Sequence, residues 1–380
     1  MGEFTKIQWC DYTFNPWRGC TKISAGCANC YAEAQAKRNP AVLGVWGSNG
    51  TRAVAAESYW RQPERWNRQA ESDHAAILES HETIDQLMPG HRKTPYVRPR
   101  VFCASMADVF EDWHGTVLDT KGRELRRCEY CGRLERGCAF GECRVCDPPR
   151  TTVLATLNDV RARLFRLIDA TPSLDWLLVT KRPENIRRMW HRPWRPDEDD
   201  PRTFDGHRIV HRDVDPRRPN VWLLASIEDQ ATADQRIPRL IESGGFATVL
   251  GLSIEPLLGP IDLSRWFTHP PRGSLDVVVG PVIDWVIVGG ESGANARPCL
   301  LPYMRSIIRQ CNQAGVPCFV KQLGSAASDE QYGIAGRRLV VPEEALPLVS
   351  HRLQDSKGGE PAEWPDNLRV REFPTLYRMG

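Results

Sequence analysis

Short apolar runs separated by stretches of helical periodicity constrain the fold of this chain most strongly. None of the runs alternates apolar with polar residues, so they are typical of strands covered on both faces in a parallel sheet. They lie at Val101–Ala104, Trp176–Val179, Val221–Ala225, Thr248–Leu252, Trp285–Val288 and Cys318–Val320, after an early strand expected around Ile7–Thr13. About seven β-then-α units predict an α/β fold, namely a full or partial (β/α) barrel with insertions.

Two of the intervening segments carry a clear helical stripe. Apolar residues recur at i, i+3 and i+4 over residues 153–168, and again over residues 304–311 before Gly315. A glycine directly after such a stripe is typical of a helix C-cap. We therefore predict helices over both segments, the second ending at Gly315.

Polar residues follow the predicted strands at six places. They are Ser105–Asp108, Thr180–Arg182, Ser226–Asp229, Ser253–Pro256, Gly289–Ser292 and Lys321–Gln322. A strand end becomes polar simply because it reaches solvent, so each one alone is equally well explained as ordinary surface. In a (β/α) barrel, however, all six would lie on the rim that carries the chemistry. Together they predict a site.

Segments that interrupt the repeating β-then-α units define the expected domain organisation. We predict the first part of the barrel at 1–111, with an insertion at about 40–100, and a zinc-ribbon-like insertion at 112–150. The rest of the barrel would occupy 151–330, with an insertion at about 183–219, and 331–380 would be a C-terminal extension.

The composition and net charge indicate a globular protein without a general attraction to nucleic acid. Hydrophobic residues make up 41% and charged residues 26% of the chain, as in ordinary globular proteins. Fifty Lys and Arg against 48 Asp and Glu leave a net charge of +2, so no global basic field attracts nucleic acid. No apolar run is long enough to cross a membrane, and the N-terminus lacks the apolar core of a signal peptide. We expect a cytoplasmic protein without membrane association.

Cysteine usage is the main chemical signal. Thirteen cysteines cannot all pair within one chain, and clustered thiols in a cytosolic protein more often bind metal than form disulfides. Eight of them fall into two tight groups, at 20–30 and at 128–146. Two metal sites are therefore expected, and scattered cysteines such as Cys103, Cys311 and Cys318 are better explained as core residues.

The first group has the spacing Cys20-x6-Cys27-x2-Cys30, on a loop just after the early strand. Three thiolates can hold three irons of a [4Fe–4S] cluster and leave the fourth iron open for a small molecule. A closed structural zinc site needs four ligands, which Cys10 would complete. Redox-active or inert thiols are the remaining alternative.

Several segments around and beyond these cysteines resemble a phage and prophage family of unknown function with an N-terminal three-cysteine motif. They are residues 9–20 (WCDYTFNPWRGC), 26–33 (GCANCYAE), 177–183 (LLVTKRP), 253–260 (SIEPLLGP) and 286–293 (VIVGGESG). The resemblance runs from about residue 5 to residue 324, apart from the insertions. That family is similar to radical S-adenosylmethionine (SAM) enzymes, although the first cysteine gap here is longer than the usual Cys-x3-Cys.

The resemblance implies a [4Fe–4S] cluster on Cys20, Cys27 and Cys30 that reductively cleaves SAM, with a flavodoxin- or ferredoxin-type protein as reductant. It also implies that strand-end residues hold SAM and substrate. The expected SAM ligands are Ser105 and Asp108, or Ser226 and Glu228, and the expected substrate contacts, which we take as the catalytic candidates, are Lys181, Glu255, Glu291 and Lys321. Each lysine is equally well explained as the partner of a rim carboxylate.

The second cysteine group has the spacing of a zinc ribbon, Cys128-x2-Cys131-x11-Cys143-x2-Cys146. Residues 121–150 contain too few large apolar residues to form a core, so a bound Zn²⁺ would hold this segment together. Cys138 is spare or replaces one of the four ligands. A second iron–sulfur cluster is the alternative.

The substrate is the least constrained part of the prediction. A zinc ribbon and Arg/Trp/His-rich segments at 58–100 and 183–219 favour a nucleic acid or nucleotide, held through phosphate contacts and base stacking. A separate partner protein is compatible with the resemblance. The alternative function is a non-catalytic, zinc-dependent, nucleic-acid-binding phage accessory protein. A metal hydrolase ranks last, because the strand ends offer no histidines.

Overall fold

The structure is a computed structural model that describes residues 5–87, 96–132, 134–136, 142–143, 146, 150–191, 215–267, 282–329 and 353–375. Its strands in chain order are β1 (Tyr12–Phe14), β2 (Trp17–Arg18), β3 (Arg52–Val54), β4 (Arg100–Cys103), β5 (Val117–Leu118), β6 (Leu125–Cys128), β7 (Leu134–Arg136), β8 (Glu142–Cys143), β9 (Arg150–Leu154), β10 (Asp175–Thr180), β11 (Arg218–Ser226), β12 (Ala247–Ile254), β13 (Trp285–Gly289), β14 (Cys299–Leu300), β15 (Cys318–Gln322) and β16 (Ala327–Ser328). Its helices are α1 (Tyr31–Arg38), α2 (Pro40–Leu43), α3 (Glu57–Trp60), α4 (Gln62–Leu87), α5 (Leu157–Asp169), α6 (Ile186–Met189), α7 (Gln230–Ile241), α8 (Ser264–Phe267) and α9 (Leu301–Ala314).

Seven parallel strands form the central sheet, in the order β1-β4-β10-β11-β12-β13-β15. Every neighbouring pair in this sheet is parallel. Successive side chains point to opposite faces, and both faces are apolar: Leu178 packs in the cluster that contacts the helices, whereas Leu177 packs in a separate cluster on the other face. Burial on both faces explains why these strands read as continuous apolar runs.

The sheet curls into a partial barrel. Trp9, just before the first strand, lies with its ring centroid 6.4 Å from that of Trp285 on the sixth strand. In a flat sheet, five strand spacings would separate these positions by roughly 24 Å. The two side chains therefore meet across the concave face, here called the interior face. The predicted parallel α/β barrel is confirmed in its partial form, with β1 and β15 as the two end strands of the described sheet.

The early strand begins later than predicted. Residues 7–11 form turns, and only Tyr12–Phe14 pairs with β4. Trp9 and Cys10 are buried on the interior face, where Trp9 contacts Phe102 at 4.7 Å. The apolar residues of this segment thus fill the barrel instead of extending its sheet.

One helix boundary corrects the sequence prediction and another confirms it. Val153 and Leu154 belong to β9, and α5 begins only at Leu157, because Thr156 and Asp159 form a capping box there. By contrast, α9 ends where predicted, since Gly315 adopts a left-handed conformation with φ of 66°.

Three smaller sheets lie outside the barrel in the described residues, one of them the parallel pair β14-β16. The four strands β7-β6-β9-β8 pair antiparallel in the cysteine-rich insertion, and β2-β3-β5 form a second sheet. At the end of the described chain, the Val370 carbonyl accepts from Val320 and the Glu372 N–H donates to Cys318, both at 2.8 Å, so this segment covers the outer edge of β15. No helix among the described residues combines the length and the apolar character that a membrane crossing requires.

Candidate active site

The cysteine loop, residues 19–30, lies over the carboxyl ends of the barrel strands, between β2 and α1. It contacts residues that follow four different strands: β4, β10, β11 and β13. Each of these contacts joins positions far apart in the sequence, so the loop is placed by the folded barrel and not by its own local structure.

The first attachment of the loop is a buried ion pair. Gly19 donates its N–H to the Met106 carbonyl (3.1 Å), and Thr21 donates its N–H to the Glu111 carboxylate (2.8 Å). Both oxygens of Glu111 accept from the Arg52 guanidinium, at 2.7 and 2.8 Å, and that guanidinium also reaches the Thr21 hydroxyl. Arg52 and Glu111 are at most 1% exposed, so breaking this pair would leave an uncompensated buried charge, at a cost of about 3–5 kcal/mol.

The second attachment is Arg182, which follows β10. Its guanidinium donates to the Asp108 carboxylate at 2.9 Å, to the Thr21 carbonyl at 2.6 Å and to the Cys20 Sγ at 3.6 Å. Burial alone would lower the pKa of Arg182, but Asp108, Cys20 and Glu111 raise it above its ordinary value. The guanidinium is therefore a permanent positive charge beside one loop cysteine.

Asp108 is fully engaged by the protein. Besides Arg182, its carboxylate accepts from the Thr180 hydroxyl (2.7 Å) and from the backbone N–H groups of Phe110 (3.0 Å) and Lys181 (3.1 Å). A carboxylate with four protein donors has little capacity left for a ligand. It fixes the ends of β4 and β10 relative to each other.

Glu228, after β11, holds the middle of the loop. Its side chain is fully buried, accepts from the Gly26 N–H at 3.1 Å, and pairs with Arg236 of α7 at 2.9 Å. A Cβ added at Gly26 would lie 3.0 Å from the Glu228 carboxyl carbon. A side chain larger than that of glycine would therefore crowd this carboxylate.

Glu291, after β13, holds the last part of the loop. It forms a two-point ion pair with Arg297, with its closest contact at 2.6 Å, and accepts from the Asn29 side-chain amide at 3.0 Å. Arg297 in turn donates to the Ala25 carbonyl at 2.9 Å. Burial raises the pKa of Glu291, but the hydrogen bonds from Arg297 and Asn29 outweigh it, and the pKa is lowered overall.

Ser105 follows β4 and contacts Tyr31, the first residue of α1, where the loop ends. Its hydroxyl exchanges hydrogen bonds with the Asn15 side chain at 3.1 and 3.3 Å, and its carbonyl accepts from the Tyr31 hydroxyl at 2.6 Å. Ser105 thus connects β1, β4 and the residue after Cys30.

A second set of polar residues lies on the interior face at the same end of the strands. Alternation places Lys181 two residues beyond Val179, Ser226 two beyond Leu224 and Lys321 two beyond Phe319, all of which pack on the interior face. The Lys181 ammonium donates to the Ser226 hydroxyl at 2.5 Å.

Glu255 and Lys321 form an ion pair on this face, at 2.9 Å. Lys321 is therefore the partner of a rim carboxylate, which was the alternative explanation that the sequence left open for each lysine. Lys181 faces no carboxylate within salt-bridge distance among the described residues. The predicted site residues consequently separate into a loop-holding group (Ser105, Asp108, Glu228 and Glu291) and an interior group (Lys181, Ser226, Glu255 and Lys321).

The arginines Arg52, Arg182, Arg236 and Arg297 were not among the predicted site residues. Each pairs with a carboxylate that holds the cysteine loop. Only Arg182 was recognisable from the sequence as a possible site residue, because it lies in the polar stretch that follows a predicted strand. The other three lie in an insertion, on a helix or in a loop, where arginine is common on any surface.

The donor set of the loop fits an iron–sulfur cluster. It offers three thiols, and Cys20 is surrounded by charged groups. Burial, helped by the Glu111 and Asp108 carboxylates, raises the pKa of the Cys20 thiol to about 12, whereas Arg182 lowers it. A bound metal ion would stabilise the thiolate form at this position.

Cys10, the alternative fourth ligand, belongs to the interior apolar cluster with Trp9, and its thiol reaches the Ile7 carbonyl at 3.9 Å. Burial raises its pKa to about 12.

The second cysteine group brings three of its thiols together. The sulfurs of Cys128, Cys131 and Cys146 lie within 4.8 Å of one another, and the Cys131 N–H points to the Cys128 Sγ at 3.5 Å. This triad could bind a metal ion. The side chains of Cys143 and Cys138 lie outside the described residues, so the fourth ligand stays a prediction.

Three of the tryptophans in the segments expected to stack on bases pack within the protein instead, and the fourth, Trp194, lies outside the described residues. Trp60 and Trp66 are 3% and 4% exposed, and Trp66 stacks on Tyr12 with centroids 4.3 Å apart. Trp190 packs against Phe165 and Phe246. Their large apolar area favours burial over exposure to a ligand.

A family model described as "Protein of unknown function (DUF5131)" matches residues 4–120 and 155–361. Among solved structures, spore photoproduct lyase complexed with dinucleoside spore photoproduct is 12% identical, with a TM-score of 0.34 over 90% of this chain and 71% of that chain. A mutant of spore photoproduct lyase with bound AdoMet and dinucleoside spore photoproduct is also 12% identical, with a TM-score of 0.32 over 88% and 69%. These two likenesses are distant and concern the fold alone. No curated protein matches the chain. The family description does not mention phage, so a phage origin stays a prediction.

Proposed function

The chain belongs to the DUF5131 family of proteins of unknown function, so its chemistry has to be inferred from the site itself, and we propose that it is a radical SAM-type [4Fe–4S] enzyme. The observation that carries the proposal is the placement of Cys20, Cys27 and Cys30 on one loop over the carboxyl-terminal rim of a partial parallel barrel, where chemistry is located in such folds.

The three thiols would hold the cluster and leave one iron without a protein ligand. When bound, the cluster would supply the electron that cleaves the C–S bond of SAM and yields methionine and a 5′-deoxyadenosyl radical. The protein's own contribution is orientation and shielding. The buried pairs of Glu111 and Glu228 with their arginines, and the partly exposed pair of Glu291 with Arg297, hold the loop in register with the rim.

The interior group would contact SAM and substrate. Lys181 and Ser226 present an ammonium and a hydroxyl 2.5 Å apart, which suits the carboxylate of SAM. Glu255 and Lys321 would bind polar groups of the substrate through their ion pair. Ser105, Asp108, Glu228 and Glu291 would act as positioning residues, because their polar groups already have protein partners.

We propose an anionic substrate, a nucleotide or nucleic acid. With Lys181 assigned to SAM, the Lys321 ammonium of the Glu255–Lys321 pair is the interior-group cation that would meet a phosphate or carboxylate oxygen of the substrate, which supports this class. A flavodoxin- or ferredoxin-type reductant would deliver the electron, and a separate partner protein stays part of the proposal. The near-neutral net charge of the chain requires that any nucleic acid be recognised locally.

Electron paramagnetic resonance tests the assignment. After anaerobic reconstitution with iron and sulfide, the dithionite-reduced protein should show a cluster signal that changes when SAM is added. Cys27→Ala should abolish the signal, whereas Cys311→Ala, at a buried position on α9, should keep it. A protein that stays silent and binds only zinc would refute the enzyme and favour the nucleic-acid-binding alternative.

We also propose that the insertion binds a structural Zn²⁺ through Cys128, Cys131 and Cys146, with Cys143 as the fourth ligand. The triad and the N–H···S contact within it support this proposal, since structural zinc sites combine such features.

Metal analysis of a paired set of variants checks the zinc site. Cys146→Ser should lower zinc by about one ion per chain and destabilise the insertion, while leaving the iron of the cysteine loop unchanged. Cys27→Ala should do the reverse. Loss of iron in Cys146→Ser, with zinc retained, would contradict the separation of the two sites.

A further inference from the structure

The sulfur of Cys20 has different surroundings from those of the other two loop cysteines. It lies 3.6 Å from the Arg182 guanidinium, whereas the Cys27 sulfur has only the Ser24 hydroxyl at 3.9 Å. Within the described residues, no charged group is hydrogen-bonded to the sulfur of Cys27 or Cys30. One of the three proposed ligands is therefore singled out by a permanent positive charge.

Arg182 is held where it is by contacts that do not involve the sulfur. Its Nη1 also donates to Asp108 at 2.9 Å and its Nη2 donates to the Thr21 carbonyl at 2.6 Å, and the residue is 7% exposed. Asp108 is itself fixed by the Thr180 hydroxyl. The planar guanidinium donates to Cys20, Asp108 and Thr21 at the same time. It therefore cannot rotate away from Cys20 without breaking buried hydrogen bonds.

A hydrogen bond to a cluster sulfur has a predictable electrostatic effect. Adding one electron makes the cluster and its thiolates one unit more negative, and a positive donor at a thiolate stabilises that state more than the oxidised one. Hydrogen bonds to the sulfurs are among the determinants of reduction potential in iron–sulfur proteins.

We propose that Arg182 is a positioning residue that raises the reduction potential of the loop-bound cluster through its N–H···S hydrogen bond to Cys20. This inference rests on the proposed function, because it requires a cluster on the loop. It adds a determinant of how readily that cluster accepts an electron from its reductant.

The chain offers a matched control in Arg236. Arg236 is also a buried arginine that pairs with a loop-holding carboxylate, since Glu228 accepts from Arg236 at 2.9 Å and from the Gly26 N–H at 3.1 Å. It is not hydrogen-bonded to a loop sulfur. Replacing it perturbs the attachment of the loop without removing an N–H···S bond.

The test is a reductive titration with dithionite, monitored by electron paramagnetic resonance in the absence of SAM. Arg182→Lys keeps the charge, but a single ammonium cannot reach Cys20, Asp108 and Thr21 together. At a fixed solution potential we expect its ratio of reduced to oxidised cluster to fall about tenfold, which corresponds to a potential about 59 mV more negative. Arg236→Lys should titrate like the wild type.

A wild-type potential in Arg182→Lys would overturn the inference, and so would equal shifts in both variants, because these would reflect loop attachment alone. A wild-type protein that assembles no cluster would instead refute the proposed function. The two failures are thus distinguishable.

A measurement on the wild-type protein avoids any problem with folding of the variant. When the protein is labelled with ¹⁵N only in arginine, pulsed paramagnetic resonance of the reduced cluster should detect a ¹⁵N coupling. Its absence from a protein that shows the cluster signal would overturn the inference.

Discussion

At the scale of single residues, most of the charged side chains described above form ion pairs, whereas His191 is kept uncharged by its surroundings. Burial, and after it the positive charges of the nearby Arg161, Arg166 and Arg218, together lower its pKa from 6.5 to about 4. Its ring nitrogen lies 3.2 Å from the Asn158 side-chain oxygen. The folded protein thus keeps a neutral imidazole where the unfolded chain would bind a proton.

The lowered pKa of His191 determines whether the protein becomes more or less stable as the pH falls. The unfolded state binds more protons between pH 6.5 and about 4, so the contribution of His191 to stability is complete above 6.5 and is lost as the pH falls towards 4. His191→Gln removes that contribution. From about pH 7 to about pH 5 the variant should lose roughly 1 kcal/mol less unfolding free energy than the wild type, as measured by urea denaturation. Parallel pH profiles for the two proteins would contradict this.

The cysteine loop is the element on which the site depends, and Gly26 is its tightest point. An alanine Cβ would lie 3.0–3.3 Å from three atoms of the Glu228 carboxyl group, which Arg236 prevents from moving. Gly26→Ala should therefore displace the loop, cost about 1–3 kcal/mol in unfolding free energy and reduce iron incorporation.

Gly245→Ala is the appropriate comparison, because a Cβ at that glycine meets no atom within 4 Å. Iron content and urea denaturation should separate the two variants. If Gly26→Ala bound iron as well as Gly245→Ala, the close approach to Glu228 would not matter for the loop.

Elements differ in how well the sequence predicts them. Six of the seven barrel strands are predictable because burial on both faces leaves an uninterrupted apolar run for each, whereas β1 is short and only partly buried. The start of α5 is not, because Val153 and Leu154 continue its apolar period although they lie in β9; the capping pair Thr156 and Asp159 was the signal that distinguishes them.

Within the site, the sequence predicts which strand ends are polar but not which polar group is free. Asp108 and Lys181 both follow strands, yet one has four protein donors and the other one neutral partner. That distinction depends on partners from distant parts of the chain, since Thr180 and Arg182 reach Asp108 from 72 and 74 residues away.

For the whole molecule, the C-terminal segment helps to keep the curled sheet in shape. Phe373 packs on Trp285 and Phe319, with ring centroids 5.5 and 5.2 Å away, and Arg100 of β4 lies 3.9 Å above its ring. One side chain thus joins strands from both halves of the partial barrel.

Phe373→Ala should lower the unfolding free energy by about 2–3 kcal/mol, since the ring is only partly buried. Val97→Ala, at an exposed aliphatic residue, should change it by less than about 0.5 kcal/mol. Urea denaturation of both variants measures the difference. Equal stabilities would mean that the Phe373 ring contributes nothing to the stability of the barrel.

The attachments of the cysteine loop also fix an order of events during synthesis. Cys20, Cys27 and Cys30 leave the ribosome early, but their loop is held by partners 90, 162, 202 and 262 residues further along the chain. A nascent chain shorter than about 291 residues lacks at least one of them. Binding of the proposed cluster to this loop is therefore expected only after most of the chain has been synthesised, although its three cysteines are among the first to be made.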